Sequence, residues 1–176
     1  MKKLLLIPIF SVTLFATGCV ARYEQIVAGM HQSVVKLERN KGVFIATPKN
    51  GSYGSIQYPQ SGNMTAQAIR SAFSPFTSKI FVSNSCTELE ACLFDAKNGN
   101  YDYLVFSEIL YWEDRATEWS GKPDRIEVKL SLLNIHTKDE IHSVIIKGKS
   151  KWATLGGDHP QDLLPDPINS YVLSLY

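Results

Sequence analysis

The chain lacks a surplus of either charge. Its 18 Lys and Arg stand against 17 Asp and Glu, a net charge of +1, and the basic residues form no block, so the electrostatic footprint of a nucleic-acid binder is missing. It also lacks an apolar run long enough to cross a bilayer as a helix, which takes about 20 residues; the run over 4–15 is too short. Its 11 glycines form neither Gly-x-Gly-x-x-Gly nor the Gly-Lys-Ser/Thr phosphate loop, so nucleotide-cradling backbone is not indicated. No Gly-x-Ser-x-Gly elbow occurs, and there are no heptads, low-complexity tracts or internal repeats. Three cysteines are too few for a disulfide scaffold. The histidines and carboxylates show no metal-ligand spacing, so neither metal nor cofactor is expected.

What is present begins with an address. Met1-Lys-Lys supplies positive charge, 4–15 an apolar segment, and Ala16-Thr-Gly-Cys19 a small-residue ending, the pattern of an export signal. That ending resembles the lipobox of bacterial lipoproteins, in which the cysteine is acylated through sulfur and becomes the mature N-terminus; Ala16 stands where that pattern prefers a larger aliphatic residue. The plain alternative is an ordinary secretory signal with an unmodified Cys19. Val20, in place of an aspartate after the cysteine, resembles lipoproteins sent to the outer membrane. The resemblance implies a signal peptide over 1–18 and a palmitate-type anchor on Cys19 that holds the protein at the periplasmic face of the outer membrane. Each buried methylene strengthens such an anchor by about 0.8 kcal/mol. Without Lys2 and Lys3 the basic count falls from 18 to 16 against 17 acidic residues, a net −1.

Residues 19–41 are polar and weakly patterned, and are expected to be a tether with a marginal element; 42–176 is expected to be one α/β domain. Val43–Ala46 reads as a first strand. The stretch 48–62, rich in Gly, Ser and Tyr, reads as a long loop, a kind that is often functional. Met64, Ala68, Ile69, Ala72, Phe73 and Phe76 form a helical stripe, and a strand follows over 79–83. Thr87-x-x-Glu90 matches a capping box ahead of Leu89, Cys92, Leu93 and Ala96. An uninterrupted apolar run over 101–112 predicts a buried strand. Ile126, Val128, Leu130 and Leu132 then alternate with polar residues, and so do Val144 and Ile146 with Lys147, Lys149 and Lys151, a lysine row that can bind anions but more often protects an exposed sheet edge. A terminal helix buries Ile168, Tyr171, Val172 and Leu175. The order is β-α-β-α-β-β-β-α on a mixed sheet of about five strands, the first three parallel and the last three an antiparallel meander. In an oxidising compartment Cys86 and Cys92 are expected to pair, since Cys86 precedes the cap and can fold back toward the next helical turn; two small buried thiols are the alternative.

Strand direction then brings 48–62, 83–87, 113–124 and 153–162 to one end of the sheet, where open α/β sheets place ligands. The residues that a core does not need gather there: Tyr53, Tyr58, Trp112, Glu113, Arg115, Trp119, Asp158 and His159. Aromatic faces beside charged groups suit a protein or a glycan. Each tryptophan has an equally good reading as packing. Asp158 or His159 is expected to cap a turn at Pro160.

The segments Pro48-Lys-Asn-Gly-Ser-Tyr-Gly, Tyr58-Pro-Gln-Ser-Gly-Asn-Met-Thr-Ala, Trp112-Glu-Asp-Arg-Ala-Thr-Glu-Trp-Ser-Gly and Gly156-Gly-Asp-His-Pro-Gln-Asp-Leu-Leu resemble an uncharacterised family of Gram-negative lipoproteins known as a domain of unknown function. The α/β layout is also similar, at the level of topology, to the N-terminal domain of the Tol-system periplasmic protein and to the curli-secretion lipoprotein. The favoured expectation is a non-catalytic binding or assembly module of the cell envelope, partnered by the membrane through its lipid and by an envelope protein or glycan. The alternative is a hydrolase acting on envelope glycans through carboxylates of the strand-end loops.

Overall fold

The apolar runs at 43–46 and 103–107 mark strands covered on both faces, and in the computed structural model, which describes residues 22–27, 36–114, 122–150 and 159–176, both lie inside a mixed sheet. In chain order the elements are β1 (Arg22–Val27), β2 (Val43–Ala46), β3 (Ser52–Tyr53), β4 (Ile56–Gln57), α1 (Ser61–Phe73), β5 (Ile80–Ser83), α2 (Leu89–Asn98), β6 (Tyr103–Glu113), β7 (Arg125–Asn134), β8 (Glu140–Lys149), a 3₁₀ helix (Pro160–Leu163) and α3 (Pro165–Leu175). The fold is a single α/β domain. Its sheet has six described strands in the order β1-β8-β7-β6-β2-β5, with β3 and β4 as a separate ribbon. β2 pairs in parallel with β5 and β6, and β6, β7 and β8 form the antiparallel meander.

The sixth strand lies within the stretch expected to be a tether. Arg22–Val27 pairs antiparallel with β8 along its length, Arg22 opposite Lys149 and Val27 opposite Val144. β8 is therefore an interior strand, and its lysines do not guard an edge. They lie on the sheet face away from α1 and α3, where Lys147 is 3.2 Å from Glu127; Lys151 lies outside the described residues. Residues 22–26 are exposed and carry no apolar alternation, so nothing local marks a strand there; pairing with β8 makes it one.

Two cores flank the sheet. On one face Val43, Ile45, Val105, Val128, Leu130 and Ile146 pack against Ile69 and Phe73 of α1 and Ile168 and Val172 of α3. On the other, Phe44, Ala46, Leu104, Leu133 and Ile135 pack against Cys92, Leu93 and Ala96 of α2. α1 buries Ser61, Gly62, Thr65, Ala66, Ile69, Ala72 and Phe73, so Met64, part of the sequence stripe, falls outside it at 39% exposure. The face is set by Gly62, where a Cβ would sit 2.2 Å from the Pro48 carbonyl oxygen; the helix meets the loop after β2 through its smallest residues. Cys86 and Cys92 form a disulfide, with Cα atoms 5.2 Å apart. Thr87 does not cap α2: Glu88 holds the cap position without a side-chain hydrogen bond, and the disulfide ties the entering chain to the first turn.

Candidate functional site

β6 is longer than its parallel partner. β2 pairs only with Tyr103 to Phe106, so the second half of β6 projects past it at the end where β2, β5 and β8 also finish. Within that half the register slips: Ile109 faces Val128 while Tyr111 faces Glu127, leaving Leu110 as the extra residue of a bulge. A bulge inverts the alternation of side chains beyond it. Ile109 and Trp112 consequently share the α1/α3 face, whereas Tyr111 and Glu113 point to the opposite one.

The loop after β2 closes over this projection. At Gly51 a Cβ would lie 2.6 Å from Trp112 Cβ and 2.8 Å from Ile109 Cγ2, so only glycine lets the backbone approach. The Gly51 N–H donates to Ser61 Oγ at 2.8 Å, Ser61 Oγ donates to the Tyr58 carbonyl at 2.7 Å, and the Tyr58 N–H donates to the Gly51 carbonyl at 3.0 Å. The β3–β4 ribbon rises from this ring, turning through Gly54 at φ +58°. Beside the start of β7, Asp124 and Ser150 are tied to each other: the Asp124 N–H donates to Ser150 Oγ at 2.9 Å and the Ser150 N–H to the Asp124 carbonyl at 3.0 Å.

Trp112 is a core residue, 2% exposed, and offers no surface to a partner; the packing role is the one it has. Glu113 is equally buried and accepts a hydrogen bond from the Tyr111 hydroxyl at 2.9 Å. Burial, together with the Glu113 carboxylate, pushes the Tyr111 pKa up to about 12. Tyr53 is 40% exposed and meets Tyr111 edge-on at 5.6 Å between centroids. On the other face the Tyr58 hydroxyl donates to the Asp114 carbonyl at 3.4 Å, and His159 Nδ1 lies 3.9 Å from Asp114 Oδ1. His159 sits at the cap of the 3₁₀ helix, with the Asp162 carboxylate accepting from its N–H at 2.9 Å. The described members of the expected cluster thus divide: Tyr53 and Glu113 lie with Tyr111 on one side of the pleat, Tyr58 and His159 with Asp114 on the other, and Trp112 in the core. Arg115, Trp119, Asp158 and Cys19 lie outside the described residues, as does 1–18.

Two hollows have linings that no motif marked, although the first lies at the strand ends where a ligand was expected. A polar crevice of about 230 Å3 lies past the ends of β2 and β5, lined among others by Thr47, Asn50, Gln60, Asn63 and Asn84, where α/β sheets hold ligands. Scattered amides carry no motif, so only the fold assembles them. A second hollow of about 550 Å3 opens on the sheet face that α2 leaves uncovered, lined by residues of β1, β6, β7 and β8.

A mixed sheet with helices on both faces and one uncovered corner defines an α/β module. The chain belongs to the family described as domain of unknown function DUF4823, whose model matches residues 35–175. No curated protein matches it in sequence. Among solved structures it is similar to PelC from Paraburkholderia phytofirmans, described as a dodecamer, at 11% identity and a TM-score of 0.66, covering 89% of this chain and 97% of that one. A single-residue variant of PelC gives 0.64 at 11% identity, over 88% and 98%. Lipoprotein GNA1162 from Neisseria meningitidis is at 0.48 and 11%, over 77% and 97%. At such identities the PelC likeness establishes the shared fold.

Proposed function

We propose that the chain is a non-catalytic binding module of the cell envelope, acylated on Cys19, held at the periplasmic face of the outer membrane, and contacting an envelope protein or glycan through its strand-end loops. The observation that carries this reading is the division of the loop residues by the pleat. Glu113 and Asp114 are neighbours on opposite faces, one buried under Tyr111 and the other beside His159, so they cannot flank a single bond as glycoside hydrolysis requires. Tyr53 remains outside as an aromatic contact. The fold shared with a protein solved as a dodecamer supports association with further copies as one form of such binding.

Two measurements test the reading. Metabolic labelling with a fatty-acid analogue is expected to mark the wild-type chain and not Cys19→Ser; equal labelling of both, or of neither, removes the anchor. Incubation of the purified protein with envelope glycans and membrane extracts is expected to give saturable binding without turnover, and turnover would restore the hydrolase. In the binding assay Tyr53→Ala should cost about 2 kcal/mol, as interface anchors do, with the melting temperature nearly unchanged.

A further inference from the structure

The corner of the sheet left open by α2 is ordered by charge. Arg22 stands directly opposite Lys149, and Lys149 directly opposite Arg125, so three cations lie side by side across β1, β8 and β7 on one face. Like charges in cross-strand register destabilise a sheet. The rows beneath are neutralised: Lys147 is 3.2 Å from Glu127 and has Glu24 as its partner on β1, and Lys129 is 3.6 Å from Glu108. The top row has, among the described residues, one carboxylate in register for three cations. Among the described residues none of its three members forms an ion pair, and the nearest carboxylate in register, Glu113 opposite Arg125, is buried under the Tyr111 hydroxyl. Arg22, Arg125, Lys149 and Tyr111 line the 550 Å3 hollow, so the cations border open space rather than packed protein. The row is a local feature, since the chain as a whole carries only +1.

Its place in the chain says what faces it. Arg22 is three residues from Cys19, and three residues span at most about 11 Å in any conformation. An acyl group on that cysteine would therefore hold the row at the lipid headgroups. We propose that Arg22, Lys149 and Arg125 form a docking row for the anionic phosphate headgroups of the membrane that takes the Cys19 anchor. The row would add an electrostatic contact to the lipid chains and fix which end of the sheet meets the bilayer. Basic residues at an anionic surface contribute about 1 kcal/mol each, and the contact weakens as salt shortens the screening length.

The inference rests on the acylation proposed above only for where the membrane lies, so it is tested without the lipid. The full chain carrying Cys19→Ser is sedimented with vesicles of phosphatidylethanolamine and phosphatidylglycerol, and separately with vesicles of phosphatidylcholine. Lys2 and Lys3 ahead of the apolar segment at 4–15 also favour the anionic vesicles, so the row is read from the change that substitutions within it make to the difference between the two. The anionic vesicles are expected to bind more. Arg125→Gln and Lys149→Gln should each reduce that excess about fivefold, Arg125→Lys should keep it, and Lys129→Gln, on the same face but paired, should leave it unchanged. Equal binding to the two vesicle types overturns the proposal, and so does a loss with Lys129→Gln as large as with Arg125→Gln. Displacement by inorganic phosphate where chloride of equal ionic strength has no effect would make the row a site for free phosphate instead. Fatty-acid labelling reports on Cys19 separately, so failure of the row and failure of the anchor are told apart.

Discussion

Trp112 and Glu113 are consecutive, both buried, and do opposite work. Trp112 fills the α1/α3 core beneath the Gly51 backbone, while Glu113 accepts a hydrogen bond from Tyr111 on the other face. Their roles depend on Leu110: without the bulged residue Trp112 would point to the open side and Tyr111 into the core. From the sequence, Trp112 is equally readable as a contact residue, because a tryptophan next to charged residues looks the same in either role. Burial resolves this. Trp112→Ala is expected to destabilise the domain by about 3–5 kcal/mol, the usual cost of emptying a large buried site, seen as a lower urea midpoint. Binding per folded molecule should be unchanged, and a variant that keeps its midpoint while losing binding would contradict the packing role.

At the scale of elements, β8 and α3 meet through a polar contact inside an otherwise apolar seam. His142 Nδ1 lies 3.2 Å from the Tyr171 hydroxyl, and the two rings are 5.4 Å apart. Burial lowers the His142 pKa from its ordinary 6.5, with Glu140 opposing in part. The neutral imidazole is therefore favoured in the folded state, and the unfolded chain takes up the proton first as pH falls. Stability contributed by this contact is present above the ordinary histidine pKa and is lost as pH drops through the lowered one. Urea midpoints measured between about pH 7 and pH 5, spanning the ordinary histidine range, should fall with acid for the wild type, and less steeply for His142→Gln. Parallel slopes would show that this histidine does not couple folding to pH. The pair was not legible in advance: His142 and Tyr171 are 29 residues apart, and neither periodicity nor motif links them.

For the whole molecule the arrangement gives a direction. β1 begins, and β8 ends, at the sheet end that holds the loops and the cation row, while the β7–β8 turn around Thr137 lies at the other end, one strand length or about 30 Å away. If the anchor and the row face the bilayer, a fluorophore on Lys122→Cys should be quenched by a headgroup quencher in reconstituted membranes, and one on Thr137→Cys should not. Equal quenching would mean that the sheet lies flat on the membrane. The sequence by itself determined what local chemistry can encode. Period-two and period-3.6 patterns placed β2, β5 to β8 and the three helices, and the crossover lengths made the first three of those strands parallel. The expected oxidising compartment and the place of Cys86 ahead of the helix favoured the Cys86–Cys92 bond over two free thiols, and glycine-rich turns marked the loop that forms the β3–β4 ribbon. Tertiary structure alone decided the rest: that Arg22–Val27 is a strand, that the lysines of β8 lie inside the sheet rather than on its edge, that Trp112 turns inward, and that three cations stand in register. Each of these depends on which segments become neighbours across the sheet, and cross-strand partners distant in sequence leave no periodic trace in either one.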